Sequence, residues 1–296
     1  MKKVIIAGST GFVGKYFIKK FKSYGYNVVT ISRNYADIIW EDFNGIKYAL
    51  EDADLLINLA GKSVNCRYNE TNKAEIFSSR TETTETLGKS ILQCQNPPRL
   101  WINASTATIY RHAIDRPMTE KNGEIGTGFS VEVAQKWEKS FFDFQLQNTR
   151  QVALRMAIVL GADGGVMIPL ENLVKFGLGG KQGNGKQMFS WIHIEDLFQI
   201  IQFVATESEI KGVINCSAPE PVTNEDFMRT FREVKKIPIG LPSLTWMLKI
   251  GALIIGTETE LLLKSRWVLP EKLIDKGFKF QLPTIESALQ DILVSR

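Results

Sequence analysis

Near the start of the chain, Gly8-Ser9-Thr10-Gly11-Phe12-Val13-Gly14 places three glycines at a spacing suited to bringing backbone against an anion. The segment follows the apolar run Lys3–Ala7 and opens a stretch with Phe17, Ile18 and Phe21 on one helical side. Gly8 allows the tight turn out of a strand, Gly11 lets the backbone approach a pyrophosphate, and Gly14 lets the helix pack closely on the sheet. The anion then meets the unpaired N–H groups and the dipole at the helix N-terminus, with Thr10, Phe12 and Val13 beside it. A glycine triplet alone is weak evidence. A strand before it, an amphipathic helix after it and a second strand at the right distance make it a dinucleotide-binding signal.

The second strand, Asn27–Ile31, runs into Ser32-Arg33-Asn34. An acid here would hold the ribose hydroxyls of NAD, and there is none. Arg33 offers a planar cation suited to the 2′-phosphate of NADP, with Ser32 as an extra donor, so NADP is expected ahead of NAD. The plainer reading, a solvated surface arginine, stays open.

The elements that position these residues are legible as alternating patterns. Six strands are expected, at Lys3–Ala7, Asn27–Ile31, Ala36–Trp40, Leu55–Leu59, Arg99–Ala104 and Gln151–Arg155, with helices near Val13–Tyr24, Ile46–Leu50, Thr81–Gln93 and Val131–Gln147. This rhythm predicts an α/β, doubly wound parallel sheet of Rossmann type. After Arg155 come glycine-rich turns, the segment WIHIED, a helix near Leu197–Thr206, the strand-like GVINC and a proline-punctuated helical remainder. The expected division is a dinucleotide-binding domain over 1–163, completed by about 188–218, and a smaller, mostly helical substrate lobe over 164–187 and 219–296.

Composition narrows the partners. With 36 basic and 32 acidic residues spread over 296, and no polybasic block, neither nucleic acid nor an acidic membrane surface is indicated. The apolar run after Lys3 is too short for a signal core, and Leu244–Gly256, interrupted by Lys249, is too short to span a bilayer and reads as a buried or partner-facing helix. Cys66, Cys94 and Cys216 fit neither a metal pattern nor a disulfide framework, so no metal is expected and a reducing cytoplasm is. The expected partner is a small-molecule substrate of unknown identity; a homodimer is left open.

Together these residues resemble the extended short-chain dehydrogenase/reductase superfamily, and within it an atypical group of NAD-dependent epimerase/dehydratase-like proteins. Gly8–Gly14 looks like the cofactor loop, and Asn58-Leu59-Ala60-Gly61 like the N-x-A-G segment that lies along the cofactor. Ser105–Tyr110 is similar to the stretch ending the fifth strand, with Thr106 matching the catalytic Ser/Thr. Leu154-Arg155 through Gly161, Ser190–Asp196, and the C-terminal stretch from Val268 to Leu293 also match in order.

The resemblance implies a Tyr and a Lys one helical turn apart, the Lys lowering the phenol's pKa while the Tyr moves the proton. Counting back from Glu138, those places hold Ser130 and Ala134. Tyr16 and Lys20 have the spacing but stand in the first helix, and the superfamily's Asn aligns with Arg80, at the start of the long helix and beside the cofactor. Thr106 is left, with Tyr110 as a packing residue whose hydroxyl is a substitute proton carrier, and His112 on the loop overhanging the nicotinamide. His193 is read as structural. Lys136 and Lys139, on the helix without its Tyr-Lys pair, read as solvated. The loop Gly177–Gly185, with Lys181, Lys186 and Gln187, is either an anion holder or a flexible surface loop. Two functions follow: an NAD(P)-dependent oxidoreductase or nucleoside-diphosphate-sugar epimerase-like protein with a rearranged proton-transfer set, or a non-enzymatic NADP-binding redox sensor or scaffold.

Overall fold

Apolar runs such as VIIA at 4–7 and LLIN at 55–58 are buried on both faces, as parallel strands covered by helices must be. In the computed structural model, which describes residues 2–243, 246, 248, 258 and 263–294, they lie inside a seven-stranded, all-parallel sheet. Its strands are β1 (Lys3–Ala7), β2 (Asn27–Ser32), β3 (Ile38–Ile39), β4 (Leu55–Asn58), β5 (Leu100–Thr106), β6 (Arg150–Met156) and β10 (Gly212–Cys216). Their order is β10-β6-β5-β4-β1-β2-β3. The direction of winding reverses beside β1, between β4 and β2, which opens a crevice at the strands' C-terminal ends.

Alternation along each strand feeds two cores. Val4, Ile6, Ile57 and Ile102 face α1 (Phe12–Ser23) and α6 (Ile194–Thr206), whereas Ile5, Leu56 and Trp101 face α2 (Phe43–Leu50), α3 (Glu70–Ile91) and α4 (Phe129–Phe142). Phe21 and Phe198 are fully buried and meet edge to face at 5.0 Å, tying α1 to α6. Each such ring contributes about 1.5–3 kcal/mol by burial. Phe21→Ala would therefore loosen the helix that carries the glycine loop.

A third core gathers Leu160, Met167, Val174, Trp191, Phe227, Phe231, Leu289 and Ile292. It is built from α5 (Met167–Lys175), α7 (Asn224–Lys235), α9 (Ile285–Val294) and two small sheets, β7 (Ile158–Leu160) with β9 (Trp191–His193) and β8 (Met188–Phe189) with β11 (Val222–Thr223). A short α8 (Glu271–Asp275) returns to the first core through Leu273. Asp196, wholly buried, accepts backbone N–H bonds from Gln281 at 2.7 Å and Leu282 at 3.1 Å and fastens the C-terminal segment to α6.

Several boundaries differ from expectation. Helix α3 starts at Glu70 rather than Thr81, with Asn69 Oδ1 capping it through Asn72 N–H at 2.8 Å. Strand β3 keeps only Ile38–Ile39, because Asp37 turns back to accept bonds from Thr30 N and Oγ1 at 2.8 and 2.7 Å. Helix α4 stops at Phe142, short of Gln147. Most of Leu244–Gly256 lies outside the described residues.

Candidate functional site

At the β1–α1 turn the three glycines separate by cause. A Cβ on Gly8, whose φ is +82°, would sit 2.6–2.8 Å from the backbone of Leu59 and Ala60, and one on Gly14 would sit 2.5 Å from Gly8 O. The fold itself forbids side chains at both. Around Gly11 the nearest atom is Gly8 O at 3.5 Å, so no protein group demands glycine there. The first turn of α1 has no side-chain cap, Thr10 is exposed beside it, and Ser9 Oγ is buried without a hydrogen-bond partner. Open N–H groups, an orphaned hydroxyl and a glycine with room outside it fit a pyrophosphate.

Phe12 and Val13 contribute differently from their side chains' appearance. Val13 packs on the first core, and the Phe12 ring is enclosed by Gly161, Gly164 and Gly165, where a Cβ would come within 2.8, 2.7 and 3.3 Å of it. Both therefore offer backbone, not side chain, to an anion. At the end of β2, Arg33 is exposed, and no described residue bonds or pairs with it. Ser32 departs from expectation: buried, it donates its hydroxyl proton to Asn34 O and accepts from Asn34 N at 3.3 Å. It shapes the turn instead of serving as a second donor.

Along the crevice the Leu59-Ala60-Gly61 segment is held by a buried amide network. Asn58 Oδ1 accepts from Ala60 N at 3.1 Å, while Asn58 Nδ2 donates to Asn103 Oδ1 at 2.7 Å and Thr84 Oγ1 at 3.2 Å. Trp137 Nε1 of α4 closes the network on Thr84 Oγ1 at 3.1 Å. One turn before Thr84, Arg80 lies over the Trp137 ring at 5.0 Å and beside Gly61. It stands in the middle of α3, not at its start, because the helix begins ten residues earlier than Arg80, at Glu70.

Thr106, partly exposed at the end of β5, accepts from Thr108 N at 3.1 Å. Beneath it runs a chain of buried polar groups. Ser105 Oγ donates to Glu138 Oε1 at 2.6 Å, and Arg155 holds both Glu138 oxygens through Nε and Nη2 at 2.8 and 2.7 Å. Arg155 Nη1 also donates to the Tyr110 hydroxyl at 3.0 Å, which in turn donates to Asn215 Oδ1 at 2.9 Å. Burial opposes the charge on Arg155, but the Glu138 carboxylate and Tyr110 outweigh it and raise its pKa. Tyr110 is 2 % exposed and burial raises its pKa, so the hydroxyl expected as a substitute proton carrier is committed inside the protein.

His112 is exposed, and its Nδ1 accepts from Ser265 N at 3.1 Å. This contact brings in residues that sequence reasoning missed. Lys264 Nζ donates to Thr108 O at 2.9 Å and Arg266 Nε to Thr108 Oγ1 at 3.1 Å, so a Lys-Ser-Arg segment of the C-terminal region lies against the Thr106–His112 loop. No spacing rule links positions more than 150 residues apart; the only signal was two cations flanking a serine shortly before the family-like stretch.

The places of the expected Tyr and Lys are closed. Ala134 is fully buried in a fourth cluster with Ile109, Tyr110, Val131 and Val268, and Ser130 Oγ is buried without a partner. Tyr16 and Lys20 lie between α1 and α6, where both bond Glu195, Lys20 at 2.8 Å. His193 caps α6 through Glu195 N at 3.1 Å and faces Asp291 at 3.3 Å. The Gly177–Gly185 loop is tied to the segment after Gly240, with Gly180 N donating to Leu241 O and Gly183 N to Ser243 O at 3.1 and 2.8 Å, while Lys181 and Lys186 are exposed. Gln187 is buried on Gln182 O, and Lys181 faces Glu225.

Comparison with known proteins agrees with this architecture. The model of the NAD dependent epimerase/dehydratase family matches residues 4–130, and that of a domain of unknown function, DUF1731, matches 245–292. The epimerase family protein YfhF of Bacillus subtilis is 31% identical, over 99% of this chain and 98% of its own. The chain belongs to this epimerase family. A crystal structure of the human epimerase family protein SDR39U1 with NADPH superposes with a TM-score of 0.89 at 30% identity, over 98% of each chain. A nucleoside-diphosphate sugar epimerase of Corynebacterium glutamicum gives 0.77 at 27% identity, with 98% of this chain covering 58% of that one. Among the described residues of this epimerase-family chain, no helix is long and apolar enough to cross a membrane.

Proposed function

We propose that this chain is an NADP(H)-dependent oxidoreductase of the epimerase family, acting on a small molecule between the sheet edge and the lobe built on the third core. The observation that carries the reading is Gly11, a glycine that no protein atom requires, set between an uncapped helix and the orphaned Ser9 hydroxyl. Gly8, Thr10, Gly11 and the backbone of Phe12, Val13 and Gly14 hold the pyrophosphate. Leu59, Ala60 and Gly61 line the cofactor's path, and Arg33 takes the 2′-phosphate. The human relative's NADPH supports this choice over NAD. The bound cofactor supplies hydride chemistry; Thr106 orients the reacting oxygen, and His112 stands at the mouth of the cleft. Tyr110 positions that loop from below. Free Cys66, Cys94 and Cys216 support a cytoplasmic setting.

A second reading, an NADP(H)-binding sensor without turnover, is favoured by one observation: the place of the missing Lys is packed shut around Ala134. Titration calorimetry and single-turnover kinetics separate the two. NADPH should bind more tightly than NADH by about 1–3 kcal/mol, a margin erased by Arg33→Ala. Hydride transfer to a panel of carbonyl compounds should fall about 100-fold or more in Thr106→Ala and be indifferent to Tyr16→Phe or Lys20→Ala. Equal affinity for the two cofactors would overturn the NADP assignment. Firm NADPH binding with no transfer to any compound would favour the sensor.

A further inference from the structure

The lobe built on the third core carries a face that is apolar and basic at once. Phe176, which ends α5, is 80 % exposed, and Ile239 and Leu241, two apart between Pro238 and Pro242, are 64 % and 58 % exposed. The backbone joins them: Leu241 N donates to Gly177 O at 2.8 Å, and Gly180 N to Leu241 O at 3.1 Å. Arg232 ties the end of α7 to the same place, with Nη1 donating to Gly179 O and Cδ lying 2.6 Å from where a Cβ on Gly240 would sit. Trp246, three residues past Ser243, is exposed as well. Large apolar side chains gathered at one place on a surface mark an interaction site.

Charge says what kind of partner fits. Residues 168–186 and 224–243 hold seven cations against four acids. Each acid is already engaged: Glu171 with Lys235 at 2.6 Å, Glu225 with Lys181 at 3.7 Å, and Asp226 and Glu233 with Arg229 at 2.6 and 3.8 Å. Lys175, beside Phe176, and Lys236, one turn beyond Arg232, are exposed, and among the described residues no carboxylate pairs with either side chain. The chain has no polybasic block, because the fold and not the sequence brings these cations together. A second copy seated here by a two-fold axis would bring this cationic face against itself. A lipid surface meets both demands, since apolar side chains enter the headgroup boundary while lysines reach anionic headgroups.

We propose that this face seats the chain on an anionic phospholipid bilayer, with Phe176, Ile239 and Leu241 in the headgroup boundary and Lys175 and Lys236 on the phosphates. The chain then lies on the membrane without spanning it. The proposal goes beyond the NADP(H) reading and does not depend on it.

The test sediments the full chain, without cofactor, with vesicles of phosphatidylcholine alone and of phosphatidylcholine mixed with phosphatidylglycerol. Wild type should bind the mixed vesicles saturably, bind the neutral ones at least about tenfold more weakly, and lose affinity as salt rises. Phe176→Ser and Leu241→Ser should each weaken binding about tenfold, and Lys175→Gln with Lys236→Gln about thirtyfold, while urea midpoints stay as in wild type. Lys19→Gln with Lys22→Gln, which removes two exposed lysines from α1, should stay within about threefold of wild type. The proposal falls if wild type ignores the anionic vesicles, binds neutral ones as well, or is weakened as much by the α1 pair, a sign of attraction to net charge alone. It also falls if the serine variants bind as wild type does, or if they lower the urea midpoint, in which case the chain's own residues cover the face. Loss of a dimer in those variants, read by equilibrium sedimentation, would make the occupant a second copy and overturn it too.

Discussion

The two ends of the crevice are built by opposite means. At the Gly8 end the polar groups left open are backbone N–H groups within seven consecutive residues together with the Ser9 hydroxyl, and shape is enforced by the absence of side chains at Gly8 and Gly14. At the Thr106 end the polar contacts are made by side chains of residues far apart in the chain, from Ser105 with Glu138 to Lys264 with Thr108, a separation of 156 residues. A backbone site tolerates changes of side-chain chemistry around it and is ruined by a single added carbon. A side-chain site tolerates small changes of volume and is ruined by the loss of one partner in a buried pair.

The strongest way to break this contrast is at Arg155. Removing it strands Glu138 and leaves Ser105 and Tyr110 with altered partners, so Arg155→Ala should cost about 3–5 kcal/mol in urea unfolding. Replacing Arg155 and Glu138 together with Met and Leu should recover most of that loss, as an apolar pair leaves no charge buried alone. A single-variant loss below about 1 kcal/mol would mean that the network is a passenger.

The glycine end sharpens the contrast. Gly8→Ala and Gly14→Ala should each lose about 1–3 kcal/mol of stability by forced overlap with Leu59–Ala60 and with Gly8 O. Gly11→Ala should leave stability within about 0.5 kcal/mol and weaken NADPH about tenfold. Unfolding curves and cofactor titrations on the three variants read the split directly. Equal losses of stability at all three positions would mean that the loop is shaped wholly by the protein.

The smallest effect belongs to His193, outside both ends. Burial lowers its pKa below 6.5, with Asp291 and Glu195 pulling the other way. The folded protein therefore prefers the neutral ring, and the unfolded chain takes the proton first. The associated stability is full above about pH 6.5 and is lost as pH falls below it. Urea midpoints between about pH 7.5 and 5.5 should decline more in wild type than in His193→Asn, which retains a capping group for α6. Parallel slopes would assign the decline to other groups.

The same contrast explains what could be read from the sequence. Strand β1 was legible to the residue, and β2, β4 and α1 nearly so, because adjacent apolar patterning specifies them. The segment 70–80, ETNKAEIFSSR, has too few apolar residues to show a helical period, so the first half of α3 was hidden and Arg80 seemed to start the helix. At the site, the loss of Tyr and Lys was visible by counting. The burial of Tyr110, the spent hydroxyl of Ser32 and the seat of Lys264 and Arg266 on Thr108 depend on tertiary contacts, which local patterning does not encode.

The Phe12 ring, closed in by Gly161, Gly164 and Gly165, makes four positions answer to one shape. Substitution at Gly161 or Gly164 collides with the ring; a small residue at 12 would relieve 164, whereas Ile194, 2.9 Å from a Cβ at 161, and the φ of +64° at 165 would still favour glycine there. Across related sequences the aromatic and Gly164 should therefore be kept or lost as a pair. A lineage that abandons the ring should accumulate side chains at 164 before 161 or 165, and such correlated drift would mark where the turn after β7 has stopped bracing the β1–α1 loop.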